Sequence, residues 1–177
     1  DIVGFDIDKK KIKHLNSGKS YIERIQNRQI NLLLKNGVFV SNFEKIKDCD
    51  VILICVPTPL KNKIPDLSFI KKTIISIKMH LKLGQLLILE STSYPGTTRE
   101  KIVQKLSKKF KPGINFFIGF SSERINPGFN ENTIIHVPKV VSGFSKNCLE
   151  VVSKFYQSSF KQIVQSKSLE LAEFSKL

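Results

Sequence analysis

The segment LLILESTSYPGTTREKI, residues 86–102, decides the fold class of this chain. An apolar run ends at Glu90, and five hydroxyl side chains then fall within eight positions, around a Tyr-Pro-Gly turn. A connecting loop needs turn residues, but it does not need this many hydrogen-bonding groups. In α/β folds, ligands bind at the carboxyl ends of the strands. The segment therefore predicts a buried strand, a functional loop and a helix, in that order.

Short apolar runs alternate with helical patterns along the rest of the chain as well. The predicted strands lie at residues 1–7, 38–42, 51–57, 85–90, 115–123, 138–144 and 161–165. The predicted helices lie at 9–18, 28–37, 68–81, 97–111, 145–158 and from 168 onward. This alternation favours a mostly parallel sheet with helices on both faces. The predicted fold class is α/β, with a doubly wound sheet of the Rossmann type.

The same patterns also predict local packing. The continuous apolar run at 51–57 is typical of a strand covered on both faces, with Cys55 inside the core. Thr97 and Glu100 have the spacing of a capping box at the start of a helix. The helix at 68–81 is predicted to bury one face, formed by Ile70, Ile74, Ile77 and Leu81.

The composition indicates a globular chain with a basic surface. Of its 177 residues, 41% are hydrophobic, and 29 Lys and Arg against 15 Asp and Glu give a net charge of +14. Most of the basic residues are Lys spread over the predicted helices, and no nucleic-acid-binding motif accompanies them. No apolar run reaches the roughly 18 residues of a membrane span. We therefore expect neither a nucleic-acid partner nor a membrane partner, and a non-catalytic basic fragment that holds polyanions remains an alternative.

The three cysteines, Cys49, Cys55 and Cys148, are widely spaced and form no CxxC motif. Such sparse use of Cys fits a reducing cytoplasm better than a disulfide scaffold, and no His stands at metal-ligand spacing from them. We therefore predict a cytoplasmic protein without a metal site.

Polar residues mark further strand ends. Asp6 closes the first strand, where a carboxylate can accept hydrogen bonds from ribose hydroxyls and favour NAD over NADP; alternatively, FDID only caps the following helix. Thr58 stands between two prolines in VPTP, which suits either contact with a flat ligand or an ordinary tight turn. Glu123 is a candidate general base or one half of a surface ion pair. The loops after residues 7, 56 and 90 are predicted to converge at one edge of the sheet.

An ordered set of strings extends this interpretation over the whole chain. GFDID (4–8), CVPTP (55–59), PDLS (65–68), ESTSYPGTTRE (90–100) and SERINPG (122–128) follow one another in that order. In this order they resemble the UDP-glucose/GDP-mannose dehydrogenase family, and most closely its UDP-N-acetylhexosamine 6-dehydrogenases. The resemblance implies a partial NAD-binding Rossmann-type domain at 1–167 and the start of a central helix at 168–177. It also implies a fragment truncated at both ends, lacking the first strand, the glycine loop and a second domain, and inactive alone.

The resemblance implies an oxidoreductase that uses two NAD to convert the C6 alcohol of a nucleotide sugar to a carboxylate. A catalytic Cys is expected in the second domain, and the full-length enzyme is expected to be a homo-oligomer. Thr92 is expected to hold a water near the reacting carbon, Glu123 to act as general base in thioester hydrolysis, and Lys176 to stabilise oxyanion charge. The residues expected at the cofactor are Asp6, Lys11, Val56, Thr58, Ser91 and Thr92.

Two points qualify the resemblance. Ser121-Ser122 precedes Glu123 where the family usually has Ser-Pro. A related β-hydroxyacid dehydrogenase is the alternative enzyme, since it shares the Rossmann plan and a central-helix Lys, but it lacks the YPGTT and ERINPG strings.

Overall fold

The computed structural model describes residues 1–121 and 137–176. The chain divides into two compact units, Asp1–Cys49 and Asp50–Leu177. Within the described residues, no helix is long and apolar enough to cross a membrane.

The first unit is a small parallel sheet with helices. Its elements are β1 (Ile2–Phe5), α1 (Lys9–Asn16), α2 (Asn27–Leu34), β2 (Gly37–Val40) and a 3-10 helix (Phe43–Asp48). β1 and β2 pair in parallel, with Ile2 opposite Gly37. Asp8 caps α1, because its carboxylate accepts hydrogen bonds from the backbone N–H groups of Lys10 and Lys11. The predicted strand and helix pattern is therefore confirmed here, with shorter elements.

The second unit contains a five-stranded sheet, a hairpin and helices. Its elements are β3 (Val51–Ile54), β4 (Leu60–Lys61), β5 (Ile64–Pro65), α3 (Ser68–Ile77), β6 (Leu86–Leu89), a π-helix (Thr98–Val103), α4 (Gln104–Leu106), β7 (Phe117–Phe120), β8 (Lys139–Gly143), α5 (Lys146–Gln157), β9 (Ile163–Gln165) and α6 (Leu169–Phe174). The strand order is β3-β6-β7-β8-β9. All neighbours are parallel except β7 and β8, which are antiparallel. The predicted α/β class with a mostly parallel sheet is confirmed.

The core of this unit is centred on β6. All four residues of β6 are at most 3% exposed, and each such side chain contributes about 1.5–3 kcal/mol of hydrophobic stabilisation. The predicted buried face is confirmed for Ile70, Ile74 and Ile77. The helix ends at Ile77, four residues earlier than predicted, so Leu81 is buried but lies beyond it. On β6, Leu86 and Ile88 pack in a cluster with Val141, Val152 and Tyr156. The strand that opens the hydroxyl-rich segment is therefore held on both faces.

β3 does not follow the prediction that both of its faces are covered. Ile52 and Ile54 are buried, but Leu53 is 44% exposed and Cys55 is exposed. β3 pairs with β6 on one side, and the alternation along an extended chain places Leu53 and Cys55 together on the opposite face from Ile52 and Ile54. The prediction of a core position for Cys55 was therefore wrong.

The hairpin formed by β4 and β5 was not predicted. Asn62 and Lys63 connect the two strands with φ of 52° and 62°. Two successive residues in the left-handed region form the tight turn that suits an antiparallel hairpin. The sequence Asn-Lys carries a weaker signal for this turn than Asn-Gly does, because lysine rarely adopts positive φ.

Candidate functional site

A cavity of about 650 Å³ opens where β3 and β6 end. Four of the residues predicted at the cofactor line it: Val56, Thr58, Ser91 and Thr92. The other lining residues are Leu53, Cys55, Pro57, Glu90, Lys139, Phe155, Tyr156, Ser159 and Phe160. The structure therefore brings together the loops that follow residues 56 and 90.

Hydrogen bonds fix the two strand ends to each other. The hydroxyl of Ser91 donates to the carbonyl of Val56 at 2.6 Å and lies 3.2 Å from the carbonyl of Ile54. The backbone N–H of Glu90 also donates to the carbonyl of Ile54, at 2.9 Å. Ser91 thus connects the two loops, and it leaves Thr92 exposed at the cavity wall.

Thr58 carries a buried hydroxyl oxygen with no hydrogen-bond partner among residues 1–121 and 137–176. A buried polar atom costs free energy unless it is hydrogen-bonded. Thr58 lines the cavity, while its hydroxyl oxygen is buried in the wall.

The structure adds three residues that sequence reasoning missed: Glu90, Lys139 and Tyr156. The Lys139 ammonium lies 2.9 Å from the Glu90 carboxylate, and the two side chains are only 5% and 11% exposed. The Tyr156 hydroxyl donates to the other carboxylate oxygen of Glu90. The same ammonium lies over the Tyr156 ring, 5.1 Å from its centroid. A largely buried carboxylate is thus paired with one cation and one phenol at the cavity wall.

The direction of β8 places Lys139 at this site. Because β8 runs antiparallel to β7, its first residue lies at the same edge as the carboxyl ends of β6 and β7. The sequence signal for this ion pair was a lysine at the start of an apolar strand. A buried Lys is rare unless it is paired, so this position indicated an acidic partner nearby. The strand direction could not be predicted from periodicity.

The environment of Tyr156 changes its acidity. Burial, followed by the adjacent Glu90 carboxylate, raises the pKa of the Tyr156 hydroxyl above its ordinary value. Tyr156 therefore remains a hydrogen-bond donor to Glu90 throughout the physiological range.

The predicted capping box at Thr97 and Glu100 is wrong. Thr97 already has helical φ and ψ, and its hydroxyl bonds to the backbone of Tyr94 instead of capping the helix. The capping acceptor is Glu173, which is fully buried on α6. Its carboxylate accepts from the N–H of Gly96 at 2.6 Å, and from the N–H and the hydroxyl of Thr98 at 2.7 Å each.

Burial of Glu173 raises the pKa of its carboxyl, although the donors on Thr98 and Gly96 act in the opposite direction. Gly96 has φ of +98°, a conformation that a side chain would strain. Glycine at position 96 therefore directs its N–H toward the Glu173 carboxylate without the strain that another residue would have there.

In the first unit, Asp6 and Lys11 lie beside each other. One carboxylate oxygen of Asp6 accepts from the N–H of Asp8 at 2.9 Å, and the other lies 3.7 Å from the Lys11 ammonium. Asp8, not Asp6, caps α1. Asp6 is one-third exposed, so its carboxylate can accept further hydrogen bonds.

Two of the predicted site residues remain, Lys176 and Glu123. Lys176 directly follows the last turn of α6, where its backbone N–H donates to the carbonyl of Glu173 at 3.3 Å. Glu123 lies outside the described residues. Among those described, no group of three or more His, Cys, Asp or Glu could hold a metal ion.

Residues 1–160 match the NAD binding domain of the UDP-glucose/GDP-mannose dehydrogenase family. The chain belongs to this family. The predicted resemblance is thereby confirmed, and NAD is confirmed as the cofactor of the matching domain.

Relatives with known names cover nearly all of the chain. It is 33% identical to UDP-N-acetyl-D-glucosamine 6-dehydrogenase of Salmonella typhi, over 99% of this chain and 42% of the relative. It is 32% identical to UDP-N-acetyl-D-mannosamine dehydrogenase of Pyrococcus horikoshii, over 100% of this chain and 43% of the relative. The structure of UDP-N-acetyl-mannosamine dehydrogenase Cap5O from Staphylococcus aureus superposes with a TM-score of 0.91 at 26% identity, over 100% of this chain and 44% of that one. The chain therefore spans less than half the length of these relatives.

Proposed function

We propose that this chain forms the NAD-binding part of an enzyme that oxidises the C6 hydroxyl of a UDP-N-acetylhexosamine to a carboxylate. The observation that carries the proposal is the convergence of Val56, Thr58, Ser91 and Thr92 on one cavity in a chain of this family. Likeness to a UDP-N-acetyl-D-glucosamine enzyme and a UDP-N-acetyl-D-mannosamine enzyme supports an N-acetylated UDP-sugar as the substrate. In this proposal, residues 1–167 form the NAD-binding domain and residues 168–177 begin a central helix.

The residues around the cavity fit part of a dinucleotide. Apolar walls from Leu53 and Phe155 suit a flat ring, and the exposed Thr92 offers a polar contact at the same cavity. In the first unit, the Asp6 carboxylate would accept hydrogen bonds from ribose hydroxyls. The nearby Lys11 ammonium partly offsets the negative charge of Asp6 and so weakens the discrimination against a 2′-phosphate.

Each proposed catalytic residue has a separate role. Val56, Thr58, Ser91 and Thr92 would hold part of the NAD, which would supply the hydride acceptor for oxidation at C6. Thr92 would position a water molecule near C6, and the Lys176 ammonium would stabilise negative charge on the C6 oxygen in each oxidation. Glu123 would take a proton from the water that hydrolyses a thioester formed on a Cys elsewhere in the enzyme.

We also expect the full-length enzyme to be a cytoplasmic homo-oligomer. The three cysteines are thiols and form no disulfide, which fits a reducing compartment.

The test is an assay of the full-length enzyme that carries residues 1–177. NADH formation should follow addition of UDP-N-acetylglucosamine or UDP-N-acetylmannosamine, with two NADH for each sugar oxidised, and should be much slower with UDP-glucose. Oxidation of small β-hydroxyacids instead would support the alternative enzyme. Salt-sensitive retention on heparin, beyond that of a charge-matched control, without any oxidation would support the basic binding fragment.

A further inference from the structure

The contact between Glu173 and the hydroxyl loop joins two parts of the chain that are far apart in sequence. We define the hydroxyl loop as residues 91–98. The Glu173 carboxylate accepts three hydrogen bonds from it, two from backbone N–H groups and one from the Thr98 hydroxyl, with lengths of 2.6–2.7 Å. These donors lie 75 and 77 positions upstream of Glu173. Short bonds of this kind, with an ionised acceptor, are the stronger class of protein hydrogen bond.

α6 depends on such contacts for its position. It has only six residues, which is far too short for a helix that is stable by itself. Leu169 and Ala172 are buried where α6 packs against β7 and β8. Apolar packing holds a helix against a sheet, but it is not directional. A carboxylate with three fixed donors defines the rotation and the height of α6 more narrowly than packing does.

Hydrogen bonds continue from this contact in both directions. Toward the chain end, the N–H of Lys176 bonds to the carbonyl of Glu173 itself, so the backbone of the lysine is held one turn beyond the carboxylate. Toward the cavity, Thr97 closes a turn with Tyr94 through its N–H and its hydroxyl. Ser91 then ties the start of the loop to Val56. The loop is thus fixed at both ends.

From these contacts we infer that Glu173 is a positioning residue, whose carboxylate locks α6 to the hydroxyl loop and thereby sets the position of Lys176 relative to Thr92. This inference rests on the proposed function, because Lys176 and Thr92 have their catalytic roles only there. Glu173 itself contacts backbone and hydroxyl groups of its own chain. It acts through the placement of another residue.

The structure offers a matched pair of variants on one helix. Glu173→Gln keeps the size of the side chain but replaces one acceptor oxygen with an NH2 group, which can only donate. Glu170→Gln makes the same chemical change at a position whose carboxylate is paired with Arg99 at 2.7 Å and partly exposed. On the loop, Thr98→Val removes only the hydroxyl donor, and Thr98→Ser keeps it.

We would measure kcat and KM for NAD for these variants in the full-length enzyme, at a temperature below the Tm of every variant. The Tm values themselves would come from thermal unfolding. In Glu173→Gln, kcat should fall about 10- to 100-fold, because a misplacement of about 1 Å can cost that much. KM for NAD should stay within about twofold, since no cofactor contact is removed. Thr98→Val should show a smaller loss of kcat, Thr98→Ser should restore most of it, and Glu170→Gln should retain the wild-type kcat.

Hydrogen exchange tests the contact without relying on activity. In Glu173→Gln, the N–H groups of Gly96 and Thr98 should exchange roughly tenfold faster or more. Unchanged exchange, or an unchanged kcat, would overturn the inference. Equal losses in Glu173→Gln and Glu170→Gln would also overturn it, because they would indicate general destabilisation. If the wild-type enzyme oxidises no nucleotide sugar, the proposed function fails and the positioning role falls with it, while exchange still decides the contact.

Discussion

Replacing Lys139 by methionine should destabilise the second unit far more than an ordinary lysine substitution does. Lys139 is 5% exposed, and its ammonium lies 2.9 Å from the Glu90 carboxylate. Methionine preserves most of the side-chain volume but removes the charge. The Glu90 carboxylate is only 11% exposed. Of its two side-chain partners, Lys139 and Tyr156, only the Tyr156 hydroxyl would then remain to stabilise its negative charge.

The expected magnitude follows from this burial. Removing one partner of a buried ion pair costs about 3–5 kcal/mol. Because domains are stable by only about 5–15 kcal/mol, this is a large share of the total. For a domain of this size, each kcal/mol lowers Tm by about 2–4 °C, so Lys139→Met should lower Tm by roughly 6–20 °C. An exposed pair such as Arg99 with Glu170 should contribute less than about 1 kcal/mol.

Urea and thermal unfolding followed by circular dichroism would measure the difference. Lys154→Met is the matched control, since Lys154 is exposed on α5 and its change should stay within about 0.5 kcal/mol. The double variant Lys139→Met with Glu90→Met should recover most of the loss, because no unpaired charge remains. A loss below about 1 kcal/mol in Lys139→Met would refute the reasoning, since it would mean that Glu90 is as well solvated as a surface carboxylate.

Three further predictions concern the cofactor, the second half-reaction and pH. In the full-length enzyme, Asp6→Ala should weaken NAD binding by about 1.5–3 kcal/mol, as judged by titration with NAD; equal use of NADP by the wild type would contradict this role. Glu123→Gln should permit the first oxidation and then accumulate covalent adduct on the catalytic Cys, detectable by mass spectrometry, and normal turnover of the adduct would exclude Glu123 as the base. Because the folded pKa of Tyr156 is raised, its contribution to stability is complete below the unfolded pKa of about 10 and is lost as pH rises above it. Stability should therefore fall less steeply above that pH in Tyr156→Phe, and identical pH profiles would argue against the raised pKa.

Most strands and helices could be predicted from periodicity, because burial of one face imposes a fixed spacing on the apolar residues. The helix α3 shows this, since Ile70, Ile74 and Ile77 are all buried on one face, although the helix ends before the predicted Leu81. Strand 85–90 was predicted within one residue at each end. Periodicity failed at β3, where the open face at Leu53 depends on which segments pack there and not on the sequence of the strand.

The candidate site was only partly predictable, for a different reason. Thr58 and Thr92 could be nominated because strand ends in α/β folds face ligands, whatever the rest of the chain does. Lys139 reaches Glu90 across 49 positions, and only the antiparallel direction of β8 brings the two together. Glu173 was not predicted as the capping acceptor, because Thr97 and Glu100 have the spacing of a capping box. That capping box does not form.

The carboxylates of Glu90 and Glu173, one largely and one fully buried, differ in what their removal leaves behind. The partners of Glu90 are side chains, so Glu90, Lys139 and Tyr156 can all be exchanged for apolar residues without leaving a polar group of these three unpaired. Two of the three donors to Glu173 are backbone N–H groups, which no substitution other than proline removes. Any apolar residue at 173 would therefore leave the N–H groups of Gly96 and Thr98 buried without this acceptor, at about 1–3 kcal/mol each. It follows that the loop can tolerate loss of the charge pair at its start, but needs an acceptor from α6 at its end.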